Sequence, residues 1–116
     1  MDKKRYLYLF KDYFRVFYLE QDTQVKHKIA WTFELLESLD RIPELYLKHL
    51  TGTKGLYEIR VQSGNDAFRI FCFFNDNKLV IGHGFQKKTD KTPRKEIKRA
   101  EEIKNEYYEK NATHKS

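Results

Sequence analysis

Two arginines, Arg60 and Arg69, stand on either side of Ser63-Gly64-Asn65-Asp66, a segment made of turn-forming residues. If the chain reverses about Gly64-Asn65, the two arginines lie directly opposite each other on paired antiparallel strands. Like charges in that position destabilise a sheet unless something negative sits between them. A phosphate suits the place, because a guanidinium presents a planar fork matched to its oxygens. The alternative is two surface arginines, one of them paired with Glu58 or Asp66. A second group is the basic run Lys87, Lys88, Lys91, Arg94, Lys95, Lys98 and Arg99, interrupted only by Asp90 and Glu96 among acids. Thr92 and Pro93 within it read as the N-cap and first residue of a helix. Cations at a helix start oppose the macrodipole at about 0.3–1 kcal/mol each, whereas an anion bound there reverses the sign. A plain solvated face is the other reading of such a run. Third comes Gly82-His83-Gly84. Two glycines in a strand suggest a bulge or a close approach by another group, and His83 between them has the chemistry of a general acid or base. A lone histidine is nevertheless more often structural.

The elements that position these groups follow from periodicity. Residues 6–10 are β-rich and short, and read as a strand. Asp12 can cap a brief helix carrying Phe14, Phe17 and Tyr18 on one side. A longer helix starts near Asp22, with Val25, Ile29, Phe33, Leu36 and Leu39 as one apolar stripe; Pro43 is expected to end it, and residues 44–50 to add a helical turn or two. Three strands come next. In residues 56–62, Tyr57, Ile59 and Val61 share one face while Glu58 and Arg60 share the other. Residues 67–74 are apolar on nearly both faces, which marks a central strand, and residues 78–86 form the third. Tight turns between them imply an antiparallel meander. A three-residue turn at Asn75-Asp76-Asn77 would put His83 opposite Arg69, and a two-residue turn would put Gly84 there. The last helix carries Ile97, Ala100, Ile103 and Tyr107 as a thin stripe, with a frayed tail expected from about residue 111. The order is that of an α+β domain with helices packed on a sheet.

With 116 residues the chain suits one domain and one core, and its 16% aromatic content supplies much of the burial. A single cysteine, Cys72, forms no internal disulfide. The charged amino terminus precedes an apolar stretch too short for a signal-peptide core, so we expect a cytoplasmic protein with no membrane attachment. Net charge is +6 and unevenly placed: eleven Lys/Arg against five acids in residues 51–99, nine against eight before them and three against four after. That favours a polyanionic partner. There is no Gly-rich phosphate loop, no paired metal-ligand motif, no nucleophile elbow, and no acidic pair in the basic half to hold Mg²⁺. A nuclease built from these residues would use cations and the substrate's own 2′-hydroxyl, without metal or cofactor.

Gly55-Leu56-Tyr57-Glu58-Ile59-Arg60-Val61, Phe68-Arg69-Ile70-Phe71, and Gly84-Phe85-Gln86-Lys87-Lys88-Thr89 with Lys91-Thr92-Pro93 and Glu96-Ile97 resemble the phage-derived Gp49-like branch of the RelE/ParE toxin superfamily, which includes HigB-type toxins. The resemblance runs in order over nearly the whole chain. It implies a RelE-like fold: an antiparallel meander with an added N-terminal strand, two N-terminal helices, one C-terminal helix and a concave basic face. It implies a type II toxin–antitoxin toxin that cuts mRNA in the ribosomal A site as an endoribonuclease, or mRNA interferase. Such a toxin is expected to be a monomer when free and to be silenced in a complex with a helix-turn-helix antitoxin. Arg60 and Arg69 match positions of basic residues around the scissile phosphate, and Lys87 or Lys88 the basic position after the last strand; Lys87 and His83 are further catalytic candidates, and Lys54, Lys88, Lys91, Arg94, Lys95 and Lys98 RNA-binding candidates. The chain departs from the pattern in having Glu58 where a second basic residue is common, and Thr92, Pro93 and Arg94 where some members carry a tyrosine. ParE-like relatives imply a different activity on the same fold, inhibition of DNA gyrase by binding.

Overall fold

A computed structural model describes residues 3–115, with side chains as far as Asn111. Its elements are β1 (Tyr6–Leu9), α1 (Tyr13–Leu19), α2 (Thr23–Ser38), β2 (Leu47–His49), β3 (Tyr57–Ser63), β4 (Asp66–Asn75), β5 (Lys78–Lys87) and α3 (Arg94–Lys115). The strands form one sheet in the order β1-β5-β4-β3-β2, with β1 parallel to β5 and every other pair antiparallel. This is the α+β arrangement expected from the element order and from the RelE-like resemblance.

Alternation along the strands divides the core into two layers. Ile59, Val61, Phe68, Ile70, Cys72, Leu79 and Ile81 point to one side, where α1 and α2 cover them with Phe14, Phe17, Val25, Ile29 and Leu36. Phe71, Phe73 and Val80 point to the other side and meet Ala100, Ile103 and Tyr107 of α3. The stripe foreseen on α3 is therefore its buried face, with Ile97 at the margin.

Several local expectations are corrected. Asp12 occupies the N-cap of α1 but its side chain caps nothing, whereas Asp22 accepts from Val25 N at 2.9 Å and starts α2 in the ordinary way. Helix α2 stops at Ser38, ahead of Pro43, because Leu39 turns extended (ψ 133°). Its end is held by the Arg5 guanidinium, which donates to the carbonyls of Leu36, Leu39 and Asp40, satisfying orphan acceptors and complementing the dipole. Residues 44–50 form no second helix. Tyr46 N and Leu47 N both bond to Pro43 O, after which the chain extends as β2 and pairs with β3. The open edge of β3 outbids a weak helical preference there, and Leu47 becomes buried. Helix α3 spans Arg94–Lys115; in the tail expected to fray from about residue 111, the side chains of residues 112–115 and the whole of Ser116 lie outside the described residues.

The β4–β5 pairing matters most for the site. Asn75 pairs with Lys78, so the turn has two residues, and Asp76 supplies its left-handed conformation (φ 57°). The register then slips between Cys72↔Ile81 and Ile70↔Gly84, where two β5 residues, Gly82 and His83, oppose Phe71 alone. Beyond this bulge Arg69 faces Phe85, and neither His83 nor Gly84 as a regular ladder would have it. Gly84 now lies under Phe17, so close that a Cβ on it would sit 2.7 Å from the ring. At Gly82 the nearest atom to such a Cβ is Phe71 O at 3.5 Å, an ordinary contact.

Candidate functional site

A bulge shifts strand parity, since one extra residue turns every following side chain to the other face. Before it, Leu79 and Ile81 face α1 and α2. After it, the odd-numbered residues His83, Phe85 and Lys87 face the α3 side, as the contacts of His83 and Phe85 with Phe71 show. Register then lays out two cross-strand rows on that side: Arg60–Arg69–Phe85 and, one step further from α3, Gln62–Ala67–Lys87. Arg60, Arg69 and Lys87 thus share one face. Ala67 between two long side chains leaves the middle of the outer row low.

Arg60 and Arg69 are directly paired, as the turn residues predicted. The Glu58 carboxylate lies between them, with Oε1 3.6 Å from Arg69 Nε and 3.9 Å from Arg60 Nε. Oε2 accepts from the Thr92 hydroxyl at 3.0 Å. Thr92, expected as the N-cap of α3, thereby ties the start of that helix to β3 instead. Pro93 supplies the first carbonyl of the helix, accepting from Ile97 N. Glu58 was visible in the sequence as a residue sharing a face with Arg60; its burial was not.

The two arginines differ. Arg69 is 7% exposed, its Nη1 donates to Phe68 O at 3.0 Å, and its buried Nε has no hydrogen-bond partner. Desolvation lowers its pKa, Glu58 raises it and Arg60 lowers it; a guanidinium remains charged throughout. Arg60 keeps about a third of its side chain in solvent. One carboxylate therefore stands against two guanidiniums, and the local charge is positive. Leu45, Arg60, Val61, Gln62 and Arg69 line a shallow depression at this point.

His83 is placed behind this surface. It is 1% exposed, packed on Phe71, with Nε2 3.1 Å from Glu96 Oε1 and a buried Nδ1 that has no partner. Burial lowers its pKa, the Glu96 hydrogen bond raises it, and Arg99 lowers it. A neutral ring facing a carboxylate donates from Nε2, which leaves Nδ1 as the unused lone pair. His83 thus anchors α3 to β5 and is not brought to the surface with Arg60.

The basic run divides too. Lys87 Nζ donates to Asp90 O at 2.7 Å and Thr89 Oγ1 to Lys91 O at 2.7 Å, which folds the loop on itself. Lys88, Lys91, Arg94, Lys95 and Lys98 are exposed, and among the described residues none has an ion-pair partner. Lys54 lies elsewhere, beside the middle of α3, where its carbonyl accepts from Lys104. Sequence reasoning missed a second polar cluster altogether: Glu106 of α3 accepts from Tyr13 at 2.6 Å and from Lys11, and this lowers its pKa. It joins α1 to α3, and no sequence spacing announces it. Cys72 is wholly buried, with its thiol pushed well up by desolvation, and is unreactive.

Among the described residues no helix is long and apolar enough to cross a membrane. Compared with family models, residues 16–105 match the one described as phage derived protein Gp49-like (DUF891). No curated protein matches the chain.

Proposed function

Because the chain belongs to the phage-derived Gp49-like family, whose context is that of toxin–antitoxin toxins, we propose that it is a toxin that cuts mRNA on the ribosome and is silenced by a helix-turn-helix antitoxin. The observation that carries this reading is the directly opposed Arg60–Arg69 pair with one carboxylate for two guanidiniums, on the face of the sheet that Lys87 shares. Such an arrangement is incomplete without an anion.

In the reaction a 2′-oxygen attacks the adjacent phosphorus, the P–O5′ bond breaks, and the 2′-proton ends on the departing 5′-oxygen. The products are a 2′,3′-cyclic phosphate and a 5′-hydroxyl. Arg60, a third of its side chain in solvent, holds the phosphate oxygens. Arg69 adds its field from beneath, where low dielectric strengthens it. Glu58 and Thr92 fix both guanidiniums, and His83 acts at one remove by fixing α3. Lys87 and Lys88 extend the grip along the backbone, with Lys91, Arg94, Lys95 and Lys98 beyond them. The ribosome supplies much of the alignment.

The test is inducible expression of the chain with mapping of transcript 5′ ends. Wild type should arrest growth and leave cuts phased with codons. Arg60→Ala should lose both, while stability changes by less than about 1 kcal/mol, since Arg60 is the partly solvated partner of a long, 3.9 Å contact and Glu58 keeps Arg69. Arrest with intact transcripts and broken DNA would instead indicate the gyrase-binding activity of ParE-like relatives.

A further inference from the structure

We infer that Phe85 is a stacking platform for an unpaired nucleobase next to the phosphate held by Arg60 and Arg69; this rests on the RNA-binding reading above. Phe85 completes the row begun by the two arginines, directly opposite Arg69, and side chains so paired have Cβ atoms about 4.5–5.5 Å apart. A base attached to a phosphate gripped at the arginines falls within reach of the ring. Phe85 differs from the other phenylalanines on its side of the sheet: Phe71 and Phe73 are almost wholly buried, while Phe85 is half-buried at the edge of the same cluster. Its ring is also backed. It stacks on Phe71 at 16° and 5.7 Å, and Phe71 packs on His83, which Glu96 holds. An aromatic with one face supported, set among cations, is the pattern by which single-stranded nucleic acid is bound without base-specific hydrogen bonds. The bulge makes it possible, because without that extra residue Phe85 would face α1.

The platform predicts a preference among single strands of equal charge: adenine stacks more strongly than uracil. Labelled 2′-O-methyl oligoadenylate and oligouridylate of one length resist 2′-attack and serve as probes in fluorescence anisotropy at low salt. Wild type should bind the oligoadenylate more tightly. Phe85→Leu should weaken that binding roughly tenfold, bring the two probes to similar affinity, and leave the salt dependence unchanged. Arg60→Ala should weaken both probes and reduce the slope of log K against log salt by about 0.7. Undiminished adenine preference in Phe85→Leu overturns the platform, as does tighter binding of duplex DNA than of either probe. Should Phe85→Leu not fold, Phe85→Trp reads the same contact: its emission should be quenched by saturating oligoadenylate, and unquenched emission overturns the proposal. Failure of wild type to bind either probe is a separate result that removes the RNA reading itself, and the platform with it.

Discussion

The two sides of the sheet are built to different standards. Facing α1 and α2, β3, β4 and β5 present Ile59, Val61, Phe68, Ile70, Cys72, Leu79 and Ile81, and two helices cover them. Facing α3, the same strands are apolar only beneath the helix and carry Glu58, Arg60, Arg69 and Lys87 where it does not reach. One side is finished by burial. The other is finished by charge, and its charges do not balance. A sheet that needed only to fold would gain more from apolar residues in those rows, since buried ion pairs seldom outperform hydrophobic packing of the same volume.

The largest expected effect comes from breaking the charged side. Glu58→Ala leaves Arg69 buried with no counter-charge and Thr92 without its acceptor, and should cost about 3–5 kcal/mol in urea denaturation. Replacing Glu58 by Leu and Arg69 by Met together should recover most of that loss while abolishing phosphate binding; a double variant as unstable as the single would show that the pair does not act as a unit. On the apolar side, Gly84→Ala drives a methyl into Phe17 and should cost about 1–3 kcal/mol. Gly82→Ala, which meets only ordinary contacts on the α3 side, should stay below about 1 kcal/mol. Equal losses at the two glycines would contradict the placement of the bulge.

A smaller effect separates the sides by pH. Burial depresses the folded-state pKa of His83 below the ordinary value of about 6.5. The unfolded chain therefore binds more protons across the interval between the two values, and stability rises with pH there. His83 contributes no penalty above pH 6.5, and stability falls as the pH drops from 6.5 through the folded value. Glu96 and Arg99 are the charged groups that face the ring, and they act in opposite directions. Wild type should lose more thermal stability than His83→Phe between pH 7.5 and pH 5; parallel losses in the two proteins would assign the acid sensitivity elsewhere.

Much of this was legible in the residues themselves, and some was not. Gly64-Asn65 predicted the Arg60–Arg69 pairing because a tight turn fixes its own register. The two glycines predicted an irregularity in β5, and Ile97, Ala100, Ile103 and Tyr107 predicted the buried face of α3. By contrast, residues 44–50 read as helix because nothing within them reveals that β3 has an edge to fill. Thr92 read as a cap because its nearest neighbours in sequence do not include Glu58. His83 read as a reactive group, while its burial depends on Phe71 and Glu96, which reach it from β4 and α3.

By itself the sequence determined what short-range forces decide: the type of every element but β2, turn positions, apolar stripes, and the gathering of positive charge after residue 50. Only the tertiary structure decided that Phe85 and Lys87 join the face of Arg60 and Arg69, because a slip of one residue at Gly82-His83 exchanges the two faces of a strand. It also decided that one arginine is buried and the other partly in solvent, since burial is set by where α3 comes to rest on the sheet and no single segment carries that information.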